Sequence, residues 1–208
     1  MTRIVGGEFG GRTLQVPPRG TRPTSDRVRE AVFSRLEHHG VLRGARVLDL
    51  YSGSGALGLE AVSRGASHAT LVDAARSAVE MGRRNARSLG AHGVAVVHDK
   101  AERFVASPPV QPWGLVFLDP PYDVRDTTVD ALLGQLASTR AVTSDTLVVV
   151  ERARRSPAPA WPEGWEPDTS KVYGETTVHY AFAGPASSDE RSDVDGEADG
   201  SDAAGVLA

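Results

Sequence analysis

Five short apolar runs punctuate the middle of the chain, at residues 46–50, 69–72, 94–97, 115–118 and 146–150. Each is too short for a buried helix, and several are apolar throughout instead of alternating, as expected of strands buried on both faces. Between them lie segments with helical spacing of apolar positions, at 56–64, 75–88, 100–106 and 127–137. Strands alternating with helices predict an α/β fold with a mostly parallel sheet covered on both sides. Two further runs, 171–173 and 176–182, predict an antiparallel C-terminal edge, with the Pro- and Trp-rich stretch 157–167 as a surface loop leading to it.

The first 46 residues have a different pattern. Strand candidates at 3–5 and 13–16, separated by Gly6, Gly7, Gly10 and Gly11, predict a hairpin. Thr24 or Ser25 is placed to cap a helix running to about His38, with Asp26 in its positive first turn. Val28, Ala31, Val32 and Leu36 form its apolar stripe, and Gly40 ends it. The chain therefore divides into an N-terminal hairpin-helix extension (1–46), an α/β domain (47–184) and a final segment (185–208). That last segment is too poor in apolar residues to offset its ordering entropy, and is expected to be a disordered tail.

Charge sharpens this division. The net charge of −4 combines nine arginines against four acidic residues in 1–46, a local +5, with seven acidic residues against Arg191 in 185–208, a local −6. A partner meets local potential, so the acidic whole does not exclude a nucleic-acid ligand for the basic region. The chain has no cysteine, which removes disulfides, thiolate metal sites and cysteine nucleophiles. The six histidines have no ligand spacing, so no metal is expected. No stretch has the length of a membrane span and the start lacks an apolar leader, so a cytoplasmic protein without a membrane partner is expected.

The first candidate site is a glycine loop. Val47-Leu48-Asp49-Leu50 runs into Tyr51-Ser52-Gly53-Ser54-Gly55-Ala56-Leu57-Gly58, a strand, a tight turn and a helix start. Gly53-x-Gly55-x-x-Gly58 matches the dinucleotide fingerprint, and Asp73, 20 residues after Gly53, is placed to accept ribose hydroxyls. Yet Asp49, just before the loop, would repel a pyrophosphate. A ligand carrying a sulfonium and an amine suits it, and S-adenosylmethionine is one. Asp99, with Lys100 beside it, ends the third strand where a side chain reaches an adenine amine, although Asp before a helix is also a common cap.

The second candidate is Asp119-Pro120-Pro121-Tyr122, where the fourth strand opens into a loop. Prolines fix φ and donate nothing, which leaves a stiff rim bearing acceptors and a ring. Such a rim suits a flat amine-bearing base: acceptors hold the NH2 and Tyr122 stacks on the π face. Asp49, Asp73, Asp99 and Asp119 all fall at carboxyl ends of strands, the edge at which open α/β sheets bind ligands.

These motifs, with Arg22-Pro23-Thr24-Ser25-Asp26-Arg27-Val28-Arg29-Glu30-Ala31-Val32-Phe33 before them and Val172-Tyr173-Gly174-Glu175-Thr176 after them, resemble the bacterial RsmD family. The resemblance covers residues 1 to about 183. It implies a class I (Rossmann-like) S-adenosylmethionine-dependent methyltransferase acting on the exocyclic N2 of a guanine in 16S ribosomal RNA, free or in an assembling small subunit. A monomer is expected. By resemblance, Asp49, Gly53 and Gly55, with Tyr51 and Ser52 in the same loop, hold the methionine end of the cofactor, and Asp73 holds the ribose. Asp119, Pro120, Pro121 and Tyr122 hold the target base. Arg22, Pro23 and Thr24 border the active site, with Arg27 and Arg29 on RNA phosphate. His98-Asp99-Lys100 is a loose version of the family's third strand end, and the acidic tail lies outside the family pattern.

Three other readings share parts of this pattern. A DNA amino-methyltransferase (adenine N6 or cytosine N4) would share the core but lacks a target-recognition domain here. A nicotinamide oxidoreductase would share the glycine loop and have no use for Asp119 to Tyr122. A non-catalytic RNA-binding module would need the basic region without the carboxylates.

Overall fold

The computed structural model describes residues 2–16 and 26–184. The expected helix cap at Thr24 or Ser25, the expected site residues Arg22, Pro23 and Thr24, and the acidic tail lie outside the described residues. The chain opens with a small antiparallel pair, β1 (Thr2–Arg3) and β2 (Thr13–Leu14), followed by α1 (Asp26–His38). Then come β3 (Arg46–Leu50), α2 (Ala56–Ser63), β4 (His68–Asp73), α3 (Arg76–Leu89), β5 (Val94–His98), α4 (Ala101–Val105), β6 (Trp113–Leu118), α5 (Asp126–Ser138) and β7 (Val142–Ala153). A hairpin of β8 (Glu166–Tyr173) and β9 (Thr176–Phe182) closes the series.

The seven-stranded sheet has the order β5-β4-β3-β6-β7-β9-β8. Its first five strands are parallel, β9 runs antiparallel to β7, and β8 forms the antiparallel edge. From β3 the chain winds outward through β4 and β5, then returns to the other side of β3 through β6 and β7. The reversal leaves a crevice between the carboxyl ends of β3 and β6, where this architecture binds ligands.

The strands are apolar on both faces because both are covered. Val47, Leu115, Phe117, Leu147 and Val149 face a core shared with α1, α2, α3 and the N-terminal residues Ile4, Phe9 and Leu14. Leu48, Leu50, Val116, Leu118, Val148 and Val150 point the other way, toward α4 and α5. The period-2 alternation is what makes a side chain's face predictable one residue beyond a strand's end. The basic N-terminal region thus packs into the sheet's own core.

Two strands run far beyond their sequence pattern, where others differ by a residue or two. The strand expected at 146–150 spans Val142–Ala153, and that expected at 171–173 begins at Glu166, inside the predicted surface loop. Most of β8 is exposed and pairs with β9 alone, so it lacks the apolar signal of a buried strand. It tolerates Pro167, where the register shifts before Thr169, because an edge strand loses little by a missing donor.

Candidate active site

The glycine loop is shaped by close packing of α2 on the sheet. At Gly58 a Cβ would stand 2.2 Å from Leu71 Cδ2, and at Gly55, where φ is 80°, one would stand 2.7 Å from Leu71 Cδ1. Without these side chains the helix lies close enough for Gly58 N–H to donate to Asp49 Oδ2 at 2.9 Å. Asp49 is buried, and loss of solvation raises its pKa to about 7; the Gly58 hydrogen bond opposes the rise and the nearby Asp73 charge adds to it. Asp73 accepts from Gly53 N–H and Ala75 N–H, both at 2.8 Å, so it ties the loop to the end of β4.

Tyr51 takes a left-handed conformation with φ 62°, unusual for a residue bearing a side chain. Its ring packs toward the α4 and α5 core and its hydroxyl donates to Glu102 Oε1 at 3.3 Å. Burial and that carboxylate hold the phenol well above its usual range. Ser52 N–H donates to Val72 O at 3.0 Å, anchoring the loop between β3 and β4.

Asp119 follows β6 at the crevice, half-buried, with Pro120 buried behind it. Pro121 and Tyr122 are exposed; Tyr122 keeps 43% of its surface open, and its hydroxyl is 3.0 Å from Thr176 Oγ1 at the start of β9. The ring is therefore held at one end and open for stacking. The loop closes through Val124 N–H to Pro121 O at 3.0 Å. Beneath it, buried Arg152 donates from Nη2 to Val124 O at 2.8 Å and to Asp126 Oδ1 at 2.6 Å.

The structure thus brings Asp49, Tyr51, Ser52, Gly53, Gly55, Asp73 and Asp119 to Tyr122 to one sheet edge. Asp99 joins that edge through its N–H to Asp73 O at 3.1 Å, but its carboxylate already accepts from Lys100 N–H at 2.8 Å and pairs with Arg103 at 2.7 Å. Lys100 is exposed. The expected arginines divide. Arg27 is exposed on α1, whereas Arg29, expected on RNA phosphate, is 1% exposed and turned inward. It shares the helix face of Val32, Phe33 and Leu36, donates to Arg3 O and to Asp26 at 2.8 Å, and lies 3.6 Å from Glu60. A guanidinium so enclosed does not reach a phosphate.

Four residues of this neighbourhood escape the sequence reading. Arg152 and Asn85 left no signal, since a polar residue within an amphipathic element reads as solvated. Glu60, fully buried on α2, accepts from Val5 N–H at 2.7 Å and Gly6 N–H at 2.8 Å and pairs with Arg64 at 2.8 Å; it too reads as surface. Glu151 did leave a signal: it closes the apolar run Val148-Val149-Val150 as Asp119 closes its own. It lines a narrow cleft with Asp119, Val32, Leu57, Phe117 and Val178.

The sheet order, the crevice and the glycine loop define a class I methyltransferase fold. Comparison with known proteins gives the particular family. The family described as "Conserved hypothetical protein 95" matches residues 2–182. Ribosomal RNA small subunit methyltransferase D of Escherichia coli (strain K12) is 37% identical over 174 residues, 83% of this chain and 85% of that protein. The Haemophilus influenzae protein of the same name is 30% identical over 167 residues, 78% of this chain and 84% of that protein. Among solved structures, YhhF from Escherichia coli superposes with a TM-score of 0.79 at 36% identity, covering 89% of this chain and 98% of that one. A hypothetical protein from Thermus thermophilus superposes at 0.75 and 32%, covering 88% and 100%. The chain belongs to the RsmD family of ribosomal RNA methyltransferases. Among the described residues no helix is long and apolar enough to cross a membrane.

Proposed function

We propose that the protein transfers a methyl group from S-adenosylmethionine to the exocyclic N2 of a guanine in 16S ribosomal RNA, in the cytoplasm. The observation that carries this reading is the placement of Asp119 to Tyr122 at the strand-order reversal, one strand from the buried Asp49. The relatives' names supply the ribosomal RNA of the small subunit.

The residues fit the cofactor. Asp49 and Asp73 put two interacting carboxylates beside the glycine loop, an electronegative setting that favours a sulfonium and an ammonium and disfavours a pyrophosphate. Asp49, Gly53 and Gly55, with Tyr51 and Ser52, would hold the methionine end, Asp73 the ribose, and Asp99 with Lys100 the adenine side. S-adenosylmethionine supplies a methyl carbon on a cationic sulfur, so transfer forms an N–C bond, breaks the S–C bond, leaves a neutral thioether and releases one amine proton.

The chain's own contribution is positioning and electrostatics. The guanine amine is a weak nucleophile because its lone pair is delocalised into the ring. Asp119 and the Pro120 carbonyl would accept its hydrogens and favour a more pyramidal nitrogen, while Tyr122 stacks on the base. Extruding the base from its stack costs on the order of a few kcal/mol. The basic region 1–46, with Arg27 exposed on α1, would supply backbone contacts to RNA.

The test is transfer of labelled methyl from S-adenosylmethionine to unmethylated small subunits, free 16S ribosomal RNA and duplex DNA, followed by nucleoside analysis. N2-methylguanosine in the ribosomal RNA is the expected product. Label in adenine or cytosine of DNA, or in no nucleic acid, would overturn the reading.

A further inference from the structure

The last register pair between β6 and β7 is Leu118 with Val150, so the next residues along these parallel strands are Asp119 and Glu151. Phe117 and Val149 face the α1 and α2 side, while Leu118 and Val150 face the other. Alternation returns Asp119 and Glu151 to the α1 and α2 side. Both line the same narrow cleft, whose walls include Val32 of α1, Leu57 of α2 and Val178 of β9. Among the described residues, the polar side chains lining it are these two carboxylates.

An ionised carboxylate accepts hydrogen bonds and donates none. Two of them along an apolar wall match a base edge that presents two donors side by side. Guanine has that edge, N1–H next to the N2 amine. Adenine sets its amine beside an N1 acceptor, and cytosine sets its amine beside an N3 acceptor; against either, the second carboxylate would face a lone pair.

We propose that Glu151 is the residue that selects guanine, accepting N1–H while Asp119 accepts from the N2 amine. This rests on the proposed guanine-N2 activity and adds to it the reason for the base preference. Glu151 touches the substrate edge without touching the reacting atoms, so it is a specificity residue. Arg152, next in sequence, points to the opposite face and steadies the 120–124 loop from below.

The test uses the full chain and small subunits reconstituted with 16S ribosomal RNA altered at the nucleotide that takes the label. 2-Aminopurine there keeps the amine but turns N1 into an acceptor, whereas 6-thioguanine keeps N1–H and changes the atom at C6. Wild type should prefer guanine to 2-aminopurine by on the order of 10²-fold in kcat/KM, since a site built around a substrate donor rejects the analogue lacking it. It should hold 6-thioguanine within about 10-fold of guanine. Glu151→Gln, whose amide can turn to donate, should shrink the 2-aminopurine penalty to under about 10-fold while S-adenosylmethionine affinity stays unchanged. Equal use of guanine and 2-aminopurine by wild type, a comparison that needs no variant, would overturn the proposal. So would an equal loss with 6-thioguanine, or an unaltered penalty in Glu151→Gln. Those outcomes leave the guanine-N2 activity standing, whereas methyl on a base other than guanine overturns both.

Discussion

Asn85 grips Gln15 by both of its backbone groups: its Oδ1 accepts from Gln15 N at 2.9 Å and its Nδ2 donates to Gln15 O at 3.0 Å. The second Nδ2 hydrogen goes to Ser54 O in the glycine loop at 2.8 Å. One buried amide on α3 therefore joins the N-terminal segment to the loop that would carry the cofactor. The pattern also fixes the amide orientation, since a flipped group would set its oxygen against two carbonyls.

Asn85→Ala leaves the N–H and C=O of Gln15 and the C=O of half-buried Ser54 without this partner. Stability should fall by about 1–3 kcal/mol, the cost of unpaired polar groups. Asn85→Asp should not rescue it, because a carboxylate would face the two carbonyl oxygens. Urea denaturation of wild type and both variants checks this; a midpoint unchanged in Asn85→Ala would mean that the clamp contributes nothing.

Asp119→Ala removes the acceptor at the end of β6 without touching the glycine loop. Methyl transfer should drop by at least ~10²-fold, as for a lost electrostatic partner in a preorganised site. S-adenosylmethionine affinity by calorimetry should stay close to wild type. Normal turnover would take Asp119 out of the mechanism.

The contrast between Asp119 and Arg29 marks what the sequence could disclose. Asp119 and Asp73 closed apolar runs and Asp49 stood one residue before the end of its own, and residues at the end of a parallel strand are delivered to the binding edge by topology alone. Arg29 stood in a motif rich in arginine, and its charge argued for solvent. Its burial depends on Glu60, a residue 31 positions away whose own charge argued for solvent too. Pairwise compensation of buried charges has no one-dimensional signature. The early start of β8 was hidden for a related reason: an edge strand gains its place from hydrogen bonds to β9, and backbone pairing leaves no hydrophobic pattern.

Asp49 should make cofactor binding depend on pH. Its carboxyl, raised to about 7 by burial, is largely protonated at pH 6.5, and a sulfonium and ammonium beside it would favour the charged form. Binding at pH 6.5, below the ordinary range of the ligand's amine, should then release more than about half a proton. Calorimetry in buffers of different ionisation enthalpy measures that release, and Asp49→Asn should abolish it. Stability follows the same group. Because the folded pKa lies above 3.8, the folded state holds this proton more tightly than the unfolded chain, and the advantage fades as pH rises from about 4 to about 7. Asp49→Asn should therefore gain on wild type across that window, by on the order of a few kcal/mol, and hold the gain above it. His179, whose pKa burial lowers, is common to both proteins and cancels in the comparison. No proton release in wild type would mean that Asp49 does not change its protonation when the cofactor arrives, and would overturn the prediction.

The two arginines of α1 should behave oppositely when each is replaced by alanine. Arg27 is exposed, and a phosphate contact there contributes about 0.9 or less to the slope of log affinity against log salt. Arg27→Ala should weaken binding to 16S ribosomal RNA, flatten that slope and leave the melting temperature in place. Arg29 has no surface to offer; its guanidinium joins Asp26, Arg3 O and Glu60, while Glu60 holds Val5 and Gly6. Arg29→Ala leaves buried Glu60 with Arg64 as its cationic partner and the Val5 and Gly6 N–H groups as its donors, and removing one partner of such a buried charged group costs on the order of 3–5 kcal/mol. Arg29→Ala should lower the melting temperature steeply and loosen the N-terminal segment, visible as faster amide exchange at Val5 and Gly6. The salt slope of whatever remains folded should match wild type, because no counterion is displaced by a guanidinium inside the core. A flattened slope in Arg29→Ala with an unchanged melting temperature would return Arg29 to the RNA surface, contrary to the packing of α1.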